Sequence, residues 1–143
     1  MANAKLAKGN TNPVAKASFT GNLLILKLLV EYNANLEIPT SNGNTPLMWA
    51  AFAGNADIVE YLLSKDVSLL NINKEGKNAL DLAISRMHYS CALKLFSKGA
   101  MLRPIKEYES IIKAPYDLPK FIEYLKEKKE VKDESIFEIA ESK

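Results

Sequence analysis

The chain has little of what chemistry usually needs. It holds one cysteine, Cys91, and one histidine, His88. A lone cysteine excludes an internal disulfide and suits a reducing, intracellular and cytoplasmic location. One Cys and one His do not supply the four ligands of a structural zinc site, so no metal is expected. The six glycines form neither G-x-x-x-x-G-K nor G-x-G-x-x-G, which argues against a phosphate-binding loop. No cofactor is expected. The longest apolar run, Leu23 to Val30, is broken by Lys27 and falls far short of the roughly 20 residues of a membrane span. Met1 to Pro13 has no apolar run, so no signal peptide is expected there, and no Asn-x-Ser/Thr acceptor occurs. The formal net charge is only +2 and the charges are scattered. Neither nucleic acid nor a membrane is therefore an expected partner.

What the chain does have is apolar material and a period. Hydrophobic residues make up 48% of its 143 residues, enough for a packed core in one domain. A step of 33 residues relates Gly21 to Gly54, Gly43 to Gly76 and Pro13 to Pro46. The same step runs through Ala17, Ala50 and Ala83, through Leu29, Leu62 and Leu95, and through Asn22, Asn55 and His88. Repeats of this length are stacked supersecondary units that bury a core only against each other.

The clearest unit reads Gly43-Asn-Thr-Pro-Leu-Met-Trp-Ala-Ala-Phe-Ala-Gly54, then Asn-Ala-Asp-Ile-Val-Glu-Tyr-Leu-Leu63. Thr45 is a helix N-cap and Pro46 suits the first turn. Leu47, Ala50 and Ala51 form a narrow apolar face. Gly54 ends the helix, and Ile58, Val59, Leu62 and Leu63 form the stripe of a second one. This unit closely resembles the ankyrin repeat, G-x-T-P-L-H-x-A-A followed by G-H and I-V-x-x-L-L. The resemblance covers about Asn10 to Pro104. It implies an all-α solenoid of stacked helix-turn-helix units with projecting β-turn fingers. Three repeats are expected, at about 10–42, 43–75 and 76–104. Their helices are placed at Pro13–Thr20 and Leu23–Tyr32 in the first, and at Ala79–Arg86 and Tyr89–Lys98 in the third. Met87 stands where a helix-ending glycine belongs. The family histidine is replaced by Ala15, Met48 and Asp81, a loss expected to affect turn rigidity.

Beyond Pro104 the period breaks. Phe121-Ile-Glu-Tyr-Leu-Lys-Glu-Lys128 still mirrors Ile58 to Lys65 at an offset of 63, with Lys126 in place of Leu63. Residues 105–130 are read as a degenerate fourth repeat capping the stack, with helices at Ile105–Lys113 and Leu118–Glu130 and a turn at Ala114–Asp117. Residues 1–9 are read as a flexible N-terminus and 131–143 as a charged tail. Ile136 and Phe137 of that tail could lie back across the repeats.

No catalytic constellation stands out. His88 and Cys91, at i and i+3, would make a dyad only if the repeat register did not place Cys91 at the buried Ile58 position. Glu107, Glu109, Glu123, Glu127 and Glu130 alternate with lysines, as on a solvated helix face. Asp and Glu likewise dilute Lys126, Lys128, Lys129 and Lys132. An enzyme would need a site around Tyr108, Tyr116 and Asp117.

The expected function is a non-catalytic protein-interaction module, acting as an adaptor, inhibitor or assembly factor and as a monomer. The alternative is a secreted microbial effector engaging host proteins, with Val131–Lys143 as its signal. The resemblance implies binding along the concave face. In the first helices this names Lys16, Phe19 and Thr20, then Trp49, Phe52 and Ala53, then Leu82, Ser85 and Arg86. In the fingers it names Ser41, Asn42, Asn44, Lys74, Glu75 and Lys77. Exposed aromatics and arginine are the strongest of these, since they dominate interface hot spots. For Trp49 the competing reading is that it folds down over the neighbouring finger.

Overall fold

The computed structural model describes residues 12–104, 107–108 and 118–132. Seven helices occur among them: α1 (Pro13–Thr20), α2 (Leu23–Glu31), α3 (Pro46–Ala53), α4 (Ala56–Ser64), α5 (Ala79–Ser85), α6 (Tyr89–Ser97) and α7 (Leu118–Lys132). No strand is present among the described residues.

Each repeat begins in the same way. The side chains of Asn12, Thr45 and Asn78 accept the backbone N–H groups of Ala15, Met48 and Asp81, at 2.8, 3.3 and 2.8 Å. Such caps satisfy donors that the first helical turn leaves without a partner. The first helix of repeats one and two ends on Gly21 and Gly54, both left-handed, with φ of 82° and 81°. In repeat three Met87 takes the left-handed conformation instead, with φ of 57°. The turn survives the substitution: His88 N–H reaches Ala83 O at 2.9 Å, as Asn55 N–H reaches Ala50 O at 2.9 Å.

The helices form two rows. In the inner row α1, α3 and α5 pack side by side, brought close by the buried alanines Ala17, Ala50, Ala51 and Ala83. In the outer row α4, α6 and α7 follow one another. The core between the rows holds Val14, Leu26, Leu47, Ile58, Val59, Leu62, Leu80, Ile84 and Leu95. Helix α7 presses Phe121, Ile122 and Leu125 onto α6 and leaves Glu123, Lys126 and Glu127 exposed, so one face is apolar and the outer one polar. Helix α2 buries only Leu26 and exposes Leu24, Ile25 and Leu28, and its C-cap residue Tyr32 is exposed as well.

Two staples tie one repeat to the next. Asn55 Nδ2 donates to the carbonyls of Ser18 and Phe19, at 2.8 and 2.9 Å. One period later, His88 Nε2 lies 3.1 Å from the carbonyl oxygen of Phe52. The fingers meet as well. Lys74 N–H donates to Asn42 O at 3.1 Å, and Asn73 Nδ2 to Asn44 Oδ1 at 2.8 Å.

Gly43 makes the finger contact possible. It has φ of 86°, and a Cβ there would lie 2.9 Å from Lys74 N and 3.1 Å from Asn73 Cα. Gly76, with φ of 78°, has open space at the same point. Gly76→Ala is therefore expected to lower stability by about 1–2 kcal/mol through backbone strain alone. Gly43→Ala should cost about 1–3 kcal/mol more, because the obstructing atoms are backbone. Urea unfolding of the two variants checks the difference.

The expected helix Ile105–Lys113 (apart from Glu107 and Tyr108), the turn Ala114–Asp117 and residues 1–9 lie outside the described residues. So does the tail beyond Lys132, with Ile136 and Phe137. Val131 and Lys132 belong to α7.

Candidate concave binding surface

The 33-residue step turns the inner helices into a grid. One column holds Lys16, Trp49 and Leu82, a second Phe19, Phe52 and Ser85, and a third Thr20, Ala53 and Arg86. Three of these side chains form an aromatic cluster across α1 and α3. Phe19 meets Trp49 edge-on at 5.4 Å and stacks near Phe52 at 6.5 Å. Trp49 and Phe52 meet edge-on at 6.1 Å. The Arg86 guanidinium, from the end of α5, lies over the Phe52 ring at 4.7 Å. Phe19 is 46% exposed, while Trp49 and Phe52 are half-buried. The cluster joins the first, second and third repeats in one apolar and cationic surface.

Trp49 is anchored as well as presented. Its Nε1–H donates to Thr40 Oγ1 at 3.0 Å, and Thr40 Oγ1 donates to Asn42 Oδ1 at 2.7 Å. The indole thus leans on the first finger and shows part of its surface. The reading in which Trp49 folds over the neighbouring finger is met by this bond, and the indole is not fully covered.

Two positions of the expected surface are not on it. Asn44 is buried, because its side chain accepts from Asn73 between the two fingers. Leu82 is 6% exposed and belongs to the core cluster. Its column neighbours Lys16 and Trp49 remain accessible, so the helical register alone did not distinguish them. Ser85 is half-buried, and its hydroxyl donates to Leu82 O. Lys16, Thr20, Ser41, Asn42, Lys74, Glu75 and Arg86 are exposed. Lys77 is half-buried and pairs with Glu75 at 3.6 Å.

A family model for ankyrin repeats, in three copies, matches residues 14–104, more than half of the chain. The chain belongs to the ankyrin-repeat family. Ankyrin repeat domain-containing protein 63 of Mus musculus is 37% identical over 79 residues, 52% of this chain and 20% of that protein. Ankyrin repeat and KH domain-containing protein 1 of Homo sapiens is 36% identical over 99 residues, 68% of this chain and 4% of its own length. Ankyrin repeat and SAM domain-containing protein 6 of Mus musculus is 38% identical over 73 residues, 50% and 8% respectively. The chain thus matches a fifth or less of these relatives. Ankyrin repeats are in general a non-catalytic module for binding other proteins.

The ankyrin register also accounts for the residues a catalytic reading would use. Cys91 is fully buried in the outer row, where Ile58 lies one period earlier. Burial pushes its thiol from 9.0 up to about 11, with Lys94 opposing and Asp57 adding to the shift. A disulfide reagent at pH 8 should therefore label the native chain only through opening, and label the urea-unfolded chain at once. The folded state keeps a proton that the unfolded chain loses near pH 9. The corresponding stability is full below that pH and is lost as pH rises through 11. The stability advantage of wild type over Cys91→Ala should shrink by about 2–3 kcal/mol across this window, measured by urea unfolding.

Asp81, at the position of the family histidine, has a role the sequence reading missed. It is fully buried. Its Oδ2 accepts Asn78 N–H at 2.9 Å and Arg103 Nε–H at 2.7 Å, and its Oδ1 accepts Tyr108 O–H at 2.9 Å. Arg103 N–H donates to Tyr108 Oη at 3.0 Å, and the guanidinium also reaches Gly76 O and Glu107. Tyr108 is buried, and burial raises its hydroxyl pKa further. A buried carboxylate held by three donors locks Arg103 and Tyr108 onto the third repeat. Asn78 followed three residues later by Asp81 carried the one sequence signal, that of a capping box. Tyr116 and Asp117 lie outside the described residues. Among the described residues no group of three or more His, Cys, Asp or Glu could hold a metal ion. No described helix is long and apolar enough to cross a membrane.

Proposed function

We propose that this chain is a protein-interaction module that captures its partner on the concave face, working as an adaptor, inhibitor or assembly factor without turnover. The observation that carries this reading is the Phe19–Trp49–Phe52 cluster with Arg86 laid over it. Three aromatic rings kept partly in water serve folding less than they would inside the core. Buried against a partner they become hot spots. Ser41, Asn42, Lys74 and Glu75 form the polar rim on the fingers. The helices and the finger contacts hold the surface preformed, which keeps the ordering cost of binding low.

The test is retention of a partner from lysate of the source cell, comparing wild type with Phe19→Ala/Phe52→Ala. Circular dichroism establishes that the variant is folded. A protein retained by the wild type and lost by the folded variant supports the reading. Equal retention by both sinks it. The secreted-effector reading rests on residues 131–143, most of them outside the described ones, and no described residue favours it.

A further inference from the structure

The charges of the concave face are mostly positive. Lys16 on α1, Lys74 on the second finger and Arg86 at the end of α5 are exposed. Among the described residues no carboxylate lies within 4.0 Å of any of the three. The one carboxylate among the named surface positions, Glu75, is already within 3.6 Å of Lys77. The other carboxylates of the repeats lie elsewhere. Asp57 and Glu60 are on α4, Asp66 lies just after its C-terminal cap, Glu31 is on α2, and Glu37 is engaged by Ser68 and Asn71. Asp81 is buried in the lock.

Arg86 is placed with particular consequence. Its guanidinium carbon sits 4.7 Å from the Phe52 centroid. The guanidinium thus lies against an apolar ring surface. No described side chain accepts from its N–H groups. An arginine held in this way is a donor fork waiting beside an apolar shelf, and a carboxylate fits such a fork with two parallel hydrogen bonds.

We infer that the occupant of the concave face is an acidic segment of a partner protein, with an aromatic or aliphatic anchor beside an Asp or Glu. The anchor rests on the Phe19–Phe52 shelf, and the neighbouring carboxylate takes the Arg86 fork. Further acidic residues run toward Lys16 or Lys74. A basic segment would instead bring like charges against three exposed cations that no described carboxylate pairs with. The field of those cations also speeds the approach of an acidic chain and makes binding salt-sensitive. Single-stranded nucleic acid shares the negative charge and the stacking. However, three separated cations make a poor track for a continuous phosphate backbone. This inference rests on the proposed use of the concave face.

The experiment uses the full chain and a random library of 12-residue peptides displayed on phage. Enriched peptides are synthesised and titrated against Trp49 emission, the chain having a single tryptophan. The expected result is enrichment of Asp and Glu within a few positions of a Phe, Leu or Ile. Affinity should fall about tenfold for Arg86→Gln and fall again as salt is raised. Neutral or basic peptides lost by Phe19→Ala/Phe52→Ala would overturn the acidic inference and keep the concave-face reading. Peptides indifferent to every one of these variants would overturn both. A library that yields no enriched peptide, or an oligo(dT) that displaces the peptides with comparable affinity, would overturn the acidic-segment inference.

Discussion

Arg103→Ala is expected to destabilise the chain by about 3 kcal/mol. Removing one member of a buried ion pair leaves a desolvated charge behind, which costs about 3–5 kcal/mol where the site is sealed. Asp81 is fully buried, while the Arg103 side chain is 34% exposed. Water can partly replace the guanidinium, and Tyr108 and Asn78 still donate to the carboxylate, so the lower end of the range applies. The partner variant Asp81→Ala loses the same pair together with the half of the capping box in which its carboxylate accepts Asn78 N–H. It leaves Tyr108 O–H buried without its acceptor. A double variant with both residues changed to Ala should be less destabilised than the sum of the two, since the orphaned charge is gone. Urea unfolding at constant pH measures all four corners of the cycle. Additive effects would mean that the pair is not coupled and that the lock is only apparent.

Phe19→Ala/Phe52→Ala should weaken partner binding by a factor of about 100 or more while leaving the fold largely intact. Hot-spot aromatics are each worth about 2 kcal/mol or more, and every 1.4 kcal/mol is tenfold in affinity. The two rings stack near each other, so their effects overlap and fall short of full additivity. A demanding control is Leu28→Ala/Tyr32→Ala, on α2 and its C-terminal cap. Both residues are exposed, Tyr32 by 78%, so that surface also presents large apolar side chains. This second pair should leave affinity within about twofold, since residues off the interface contribute little. Calorimetric titration with the captured partner compares the two doubles directly.

Much of this architecture was legible in advance because a repeat reports the same physics several times over. Asn12, Thr45 and Asn78 each announce a helix start, and the alanine columns announce close packing of the inner row. The step of 33 by itself places Phe19 beside Phe52. What the period did not carry was individual. Leu82 and Lys16 share a column, yet one is in the core and the other in water, because burial depends on neighbours the register does not name. Asn44 looked like a finger-tip polar residue and is a buried strut, since its partner Asn73 lies 29 positions away. The departure of Asp81 from the family histidine read as a loss. It became a hub because Arg103, at the end of the third repeat, and Tyr108, beyond the regular period, turn back onto it. Met87 reads as a fault in the third turn, yet the hydrogen bond from His88 to Ala83 holds the backbone there.

The central claim is that the partner sits on the aromatic cluster of the concave face, and Trp49 permits a direct test. Being the only tryptophan, it gives a single fluorine resonance when 5-fluorotryptophan is incorporated. Titrating the partner into the labelled chain should shift or broaden that resonance in step with binding measured by calorimetry. A resonance that stays unchanged at saturating partner would contradict the account and move the interface away from the concave face.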